Sequence, residues 1–329
     1  MTEAGRRMTV LDQREMEATD APASLLMQEG IRLAQSGNDA DALLYFDRVL
    51  KLRRSLPTDV PMHAYGLAAC WLNRAEALMR IGSEHHELAL RAYDEALALL
   101  RPLPLGDDAR FPGRLAIGHQ NRALVLAAQN PPATADAIAA LVDAIAVLDH
   151  AEAMDATERQ YLLAVAWMNL ANIQATENTI ESDLEAREAA RRSLALVKAH
   201  EHEHAAAAEA GLKARHVLCH IAARRLSVQA ERENSMADVH DATDLADDGL
   251  ELVREWERCG VDRFRSLASD LFRFGARVYA HYQPHFLTEF LREQMDPRQS
   301  TDSYVQSREI QGAAQEIVLL LPTSSSQNE

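Results

Sequence analysis

A chain of 329 residues carrying a formal charge of -16 repels phosphate backbones and anionic lipid headgroups, which argues against nucleic-acid and membrane-surface partners. Forty-seven percent hydrophobic residues with only 13 Gly and 11 Pro is the balance of a mostly helical protein, and it disfavours β-rich and disordered readings. The length would allow two compact domains, but it equally suits a solenoid in which each unit buries its faces against its neighbours.

In chain order, residues 1–21 lack a sustained period and read as a partly disordered N-terminal segment with a short helix over 11–18. Pro22 is expected at a first helical position. From there a first helix carries Leu25, Leu26, Glu29, Gly30 and Leu33, Gly37-Asn38-Asp39 turns the chain, and Ala42, Leu43, Phe46, Val49 and Leu50 stripe a second helix. Helices are then expected over 62–81 and 86–101, 109–129 and 134–150, 157–176 and 180–199, and 204–229 and 236–258. Short breaks such as Asn130-Pro131-Pro132 make each pair an antiparallel hairpin. Residues 22–258 thus form five hairpins, and 259–322 form C-terminal capping helices in which Phe264, Leu267, Leu271, Phe274 and Val278 make one stripe. Residues 302–321 read as a last amphipathic helix, and 323–329 as a disordered tail.

A fixed interval runs through this plan. Asn73, Asn121 and Asn169 are 48 residues apart, each followed by an alanine two positions on: Ala75, Ala123 and Ala171. One further step lands on Val217 and Cys219, so the small-residue slot continues while the amide does not. The second helices repeat a small-bulky-small face at i, i+4 and i+7, as in Ala42-Phe46-Val49, Ala89-Tyr93-Ala96, Ala137-Leu141-Ala144, Ala186-Ala190-Ser193 and Ala242-Ala246-Gly249. Small side chains on one face let helix axes approach closely, which is what stacking one hairpin on the next requires.

With Trp167-Met168-Asn169-Leu170-Ala171-Asn172, the Gly30-Ala42-Phe46 spacing and the closing prolines, the chain resembles a tetratricopeptide repeat protein with units longer than the usual ~34 residues. The resemblance implies an all-α, right-handed α-solenoid whose first helices line a concave groove. It also implies that Asn in the repeated slot contacts the backbone of a bound peptide, since a carboxamide both donates and accepts. The expected peptide contacts are Asn73, Asn121, Asn169 and Asn172, with Gln28, Met27, Leu72, Leu124 and Met168; the alternative is that the amides only bridge adjacent helices. Chaperone-tail clamps of this family hold a terminal carboxylate with Lys and Arg at groove positions that carry Met, Ile and Val here, so that ligand is not expected.

The resulting expectation is a non-catalytic scaffold that holds a partner's peptide or amphipathic helix, or its own residues 302–321, in the groove. A second class is a regulatory sensor for a small molecule or signalling peptide. A third is a zinc hydrolase, because His200-Glu201-His202-Glu203-His204 matches HExxH, although Ala207 and Ala210 stand where the longer motif has Gly and His. His216 and His220 are also four apart but sit among core residues. No nucleotide-binding or hydrolase signature occurs, so no enzyme, resident metal or cofactor is expected.

Cys70, Cys219 and Cys259 are widely spaced without a CxxC, which fits a reducing compartment. A charged N-terminus and the absence of a run near the ~20 apolar residues of a membrane span point to a cytoplasmic protein. Lys occurs only at 51, 198 and 213, a bias toward Arg that suggests a GC-rich bacterial genome. Arg263, Arg265, Arg273 and Arg277 among the tail aromatics make a minor nucleic-acid possibility, and the aromatic end helices could pair two chains as a homodimer.

Overall fold

The computed structural model describes residues 10–228, 236–282, 284–296 and 298–318, and among them there are fourteen α-helices and no strand. The helices are α1 (Val10–Gln35), α2 (Asp39–Arg53), α3 (Pro61–Ile81), α4 (His86–Leu100), α5 (Arg110–Ala127), α6 (Thr134–Asp149) and α7 (Ala156–Ala175). They continue as α8 (Ile180–Val197), α9 (Ala205–Val228), α10 (Met236–Arg258), α11 (Arg265–Tyr282), α12 (Pro284–Gln294), α13 (Asp302–Val305) and α14 (Arg308–Val318). The fold is all-α, with helices packed in consecutive pairs as in α-solenoids. The chain divides into two compact units, residues 1–162 and 163–329, with the division inside α7. No described helix is long and apolar enough to cross a membrane.

In the first unit α1 pairs with α2, α3 with α4 and α5 with α6. The small residues of the repeated face are where close packing needs them: Ala42, Ala89 and Ala137 are fully buried, as are their bulky partners Phe46, Tyr93 and Leu141 to within 2%. Gly30 shows why the spacing works, since a Cβ there would lie 2.7 Å from the Phe46 ring. The slot two residues after each repeated Asn is also closed, with Ala75 and Ala123 fully buried. Gly118 on α5 lets Leu97 and Leu72 approach to near-contact in the same way.

In the second unit Ala171 and Cys219 continue the small slot, at 0% and 1% exposure. Ser193 on α8 donates to the carbonyl of Ala164 on α7 at 2.8 Å, and Ala186, Ala190 and Ala246 are fully buried. The side chain of Ala242 lies outside the described residues. The aromatic stripe of the tail enters a core shared by α9, α10, α11, α12 and α14, built on Leu250, Val253, Phe264, Leu271, Phe272 and Phe290.

Three expectations change. Pro22 is inside α1, which starts at Val10, so the helix begins ahead of the proline. Residues 302–318 form two helices, α13 and α14, with Thr301 capping the first through the Tyr304 amide; residues 319–329 lie outside the described residues. Ile310, Ala313 and Ile317 of α14 are buried, and this helix packs against α11, so these three side chains are not free to fill a groove.

The trough of the Trp71 cleft

A recess of about 630 Å³ lies between α2, α3 and α4 in the first unit. Trp71 and Arg74 continue the α3 stripe that holds Leu67 and Leu78 in the core, so they stand over the packed layer rather than in solvent. Arg54, at the end of α2, places its guanidinium 4.9 Å from the Trp71 ring centroid, and Arg74 lies 5.7 Å from it. A cation over an indole face is drawn to the negative potential of the ring. Lys51 and Arg91 add positive charge at the rim, Asp47 and Glu95 add negative charge, and Leu50, Leu88 and Ala92 supply apolar wall.

Part of this charge is balanced. Asp47 accepts from Nε of Arg74 at 2.8 Å, and Glu87 accepts from Arg91 at 2.5 Å. Among the described residues neither Lys51 nor Arg54 has a carboxylate partner, which leaves the recess locally cationic on an acidic protein.

The repeat reproduces parts of this arrangement. Arg122 donates to Asp94 at 2.7 Å, as Arg74 does to Asp47 one unit earlier. At the position equivalent to Trp71, His119 is 4% exposed with Nδ1 3.7 Å from Asp143, and burial holds its pKa down at about 4. In the second unit Trp167 occupies the slot, with Arg192 4.7 Å from its centroid. Trp71 and Trp167 were visible as a repeated aromatic in the sequence; Lys51, Arg54 and Arg91 carried no signal that would join them to it.

The residues expected to contact a peptide are placed as follows. Asn73 donates to the carbonyl of Ala69 in its own helix at 2.7 Å, and the Asn121 amide adjoins the buried Tyr93 hydroxyl. Leu72 (4%) and Met27 (8%) are in the core of the first unit, while Gln28 is exposed and Leu124 is 41% exposed. In the second unit Met168 is 8% exposed, Asn169 half-buried and Asn172 exposed. None of them lines the Trp71 recess.

The HExxH stretch is not helical, because α8 ends at Val197 and α9 begins at Ala205. Glu201, which would have to act as a free base, is 2% exposed and bound to Arg215 through both oxygens at 2.7 and 2.9 Å. His216 and His220 stack on α9 with centroids 6.4 Å apart, and Nε2 of His216 is 3.9 Å from Asp270. Three of the four tail arginines are also engaged, Arg265 with Glu257 at 2.6 Å, Arg273 with Glu316 at 2.8 Å and Arg263 with Glu209 at 3.4 Å. Phe264, Phe272 and Phe290 are buried, and Phe286 is 43% exposed.

No protein-family profile and no curated protein matches the chain. Solved structures do share its fold. The nuclear import adaptor Nro1 of S. pombe superposes with a TM-score of 0.58 at 13% identity, over 92% of this chain and 99% of that one. The apo form of the quorum sensor NprR of B. thuringiensis gives 0.52 at 13% identity, over 94% of this chain and 82% of that one. At such identities the likeness extends to the helical-repeat fold alone.

Proposed function

We propose that this chain is a non-catalytic interaction module of tetratricopeptide type, and that the Trp71 recess captures an acidic peptide segment of a partner protein. The observation that carries the reading is the indole of Trp71 with the Arg54 and Arg74 guanidiniums 4.9 and 5.7 Å from its centroid and Lys51 at the rim, on a molecule of charge -16. A cationic recess on an acidic protein draws carboxylates to itself while the surrounding negative field repels them, so charge sets where a segment docks. Leu50 and Leu88 favour an apolar side chain between the acids.

The Gly30–Phe46 contact and the buried small residues at the 48-residue interval support long tetratricopeptide-like units. The amides retain a secondary place in the proposal. Gln28, Leu124 and Asn172 offer exposed surface to a partner, whereas Asn73 is bonded within its own helix and Asn121 adjoins the buried Tyr93 hydroxyl.

A second reading, a sensor of a short signalling peptide, is favoured by the size of the recess, which falls in the ~300–1,000 Å³ range of small-ligand sites. Fluorescence anisotropy with labelled acidic, neutral and basic peptides tests both. Saturable binding of the acidic series is expected, with at least about tenfold loss in Arg54→Glu and in Arg91→Glu and weakening by salt. Equal binding of acidic and basic peptides, or unchanged affinity in both variants, would overturn the proposal. Full affinity retained in a peptide of a few residues selects the sensor.

A further inference from the structure

The turn joining α8 to α9 gathers His200, Glu203 and His204 so that one potential ligand atom of each lies within 4.8 Å of the others. The carbonyl of His200 accepts from the amides of Glu203 at 3.1 Å and His204 at 2.9 Å, closing a single turn. Spacings of three and four residues put those side chains on one side of it, and the two imidazole centroids are 6.1 Å apart.

The remaining two residues of the stretch hold the turn in place. Glu201 points inward to Arg215, and its carbonyl accepts from the Trp256 indole at 2.9 Å. The His202 ring meets Glu255 at 2.6 Å. The backbone that presents the three outward groups is therefore fixed by contacts from α9 and α10. Part of the ordering that a chelating ion would otherwise impose is already present in the fold.

We propose that His200, Glu203 and His204 form a binding site for a divalent transition metal of the zinc class. Two imidazole nitrogens are borderline donors and, with one carboxylate oxygen, suit zinc, nickel or copper, whereas calcium and magnesium take all-oxygen ligand sets. Metal bonds of ~2.0–2.2 Å need the donor atoms closer together than 4.8 Å, and Glu203 and His204, both exposed, are free to rotate inward. Three protein ligands leave a coordination position for water or for a donor from another molecule. The site binds and does not hydrolyse, because Glu201 is held by Arg215 and the turn presents no second free carboxylate as a base. The inference is independent of the Trp71 recess, which is built from the other unit.

The test is calorimetric titration of ZnCl2 into tag-free, chelator-stripped full-length protein near neutral pH. A single saturable equivalent is expected, with CaCl2 giving no comparable heat. His200→Ala/His204→Ala and Glu203→Gln should each weaken binding by about tenfold or more, and His216→Ala/His220→Ala should leave it unchanged. Circular dichroism of the chelator-treated variants checks that these substitutions keep the fold. No saturable zinc binding in the wild type, equal affinity in His200→Ala/His204→Ala, loss of binding only in His216→Ala/His220→Ala, or equal binding of calcium would each overturn the assignment.

Discussion

Arg215 grips both oxygens of Glu201 inside the second unit, at 2.7 and 2.9 Å, with each side chain 3% exposed. The pair ties the α8–α9 turn to α9, and Gly211 makes room for it: a Cβ there would lie 2.7 Å from a Glu201 oxygen. A residue that the HExxH pattern would cast as a base is a structural anchor instead.

Breaking that pair from one side leaves a buried charge without its partner. Glu201→Leu and Arg215→Met should each destabilise the second unit by roughly 3–5 kcal/mol, while the double variant Glu201→Leu/Arg215→Met should cost distinctly less than the two added together. Urea denaturation of the four proteins measures the coupling. Additive losses would show that the pair contributes nothing as a pair.

The amide at position 121 should behave as a stability residue. Asn121→Ala removes the amide beside the Tyr93 hydroxyl, on a side chain 2% exposed, at an expected cost of about 1–3 kcal/mol. Tyr93→Phe removes that hydroxyl, so Asn121→Ala should cost much less in the Tyr93→Phe background. A thermal-unfolding double-mutant cycle reads this. Equal cost in both backgrounds would detach Asn121 from Tyr93.

Gly30→Ala sets two effects against each other. Alanine gains up to about 1 kcal/mol of helix propensity over glycine. Its Cβ, however, would meet the fully buried Phe46 ring at 2.7 Å, and overpacking costs about 1–3 kcal/mol. A net loss is expected by thermal unfolding, and it should shrink when Phe46→Leu is added. A gain in the wild-type background would mean that the ring moves freely.

The two units should respond to pH with opposite signs. His119, in the first, has its pKa lowered from 6.5 to about 4 by burial, so the unfolded chain takes up a proton that the folded one refuses. Stability is full above pH 6.5 and falls as pH drops toward 4, by at most roughly 3 kcal/mol. His119→Gln should flatten that slope. Asp247, in the second unit, is raised from 3.8 to about 6 by burial, partly offset by the Tyr279 hydroxyl that donates to it at 3.1 Å. Its contribution is present below pH 3.8 and lost as pH rises through 6. Asp247→Asn should therefore raise the unfolding midpoint near neutral pH, with the gain fading below pH 4; a constant gain at all pH values would exclude the carboxyl as its source.

Helix positions and the buried small-residue slots were legible in the chain because both depend on local spacing. Ala75, Ala123, Ala171 and Cys219 can be found by counting, since a close-packed repeat admits only a small side chain at the same step of each unit. The partners of polar side chains depend on groups distant in sequence. Asn121 meeting Tyr93, Glu201 turning inward to Arg215, and Arg54 reaching Trp71 across α2 and α3 were decided only when the hairpins packed. Periodicity specifies which face of a helix is buried, while the direction and charge partner of each polar group on that face follow from which neighbour the packing brings within reach.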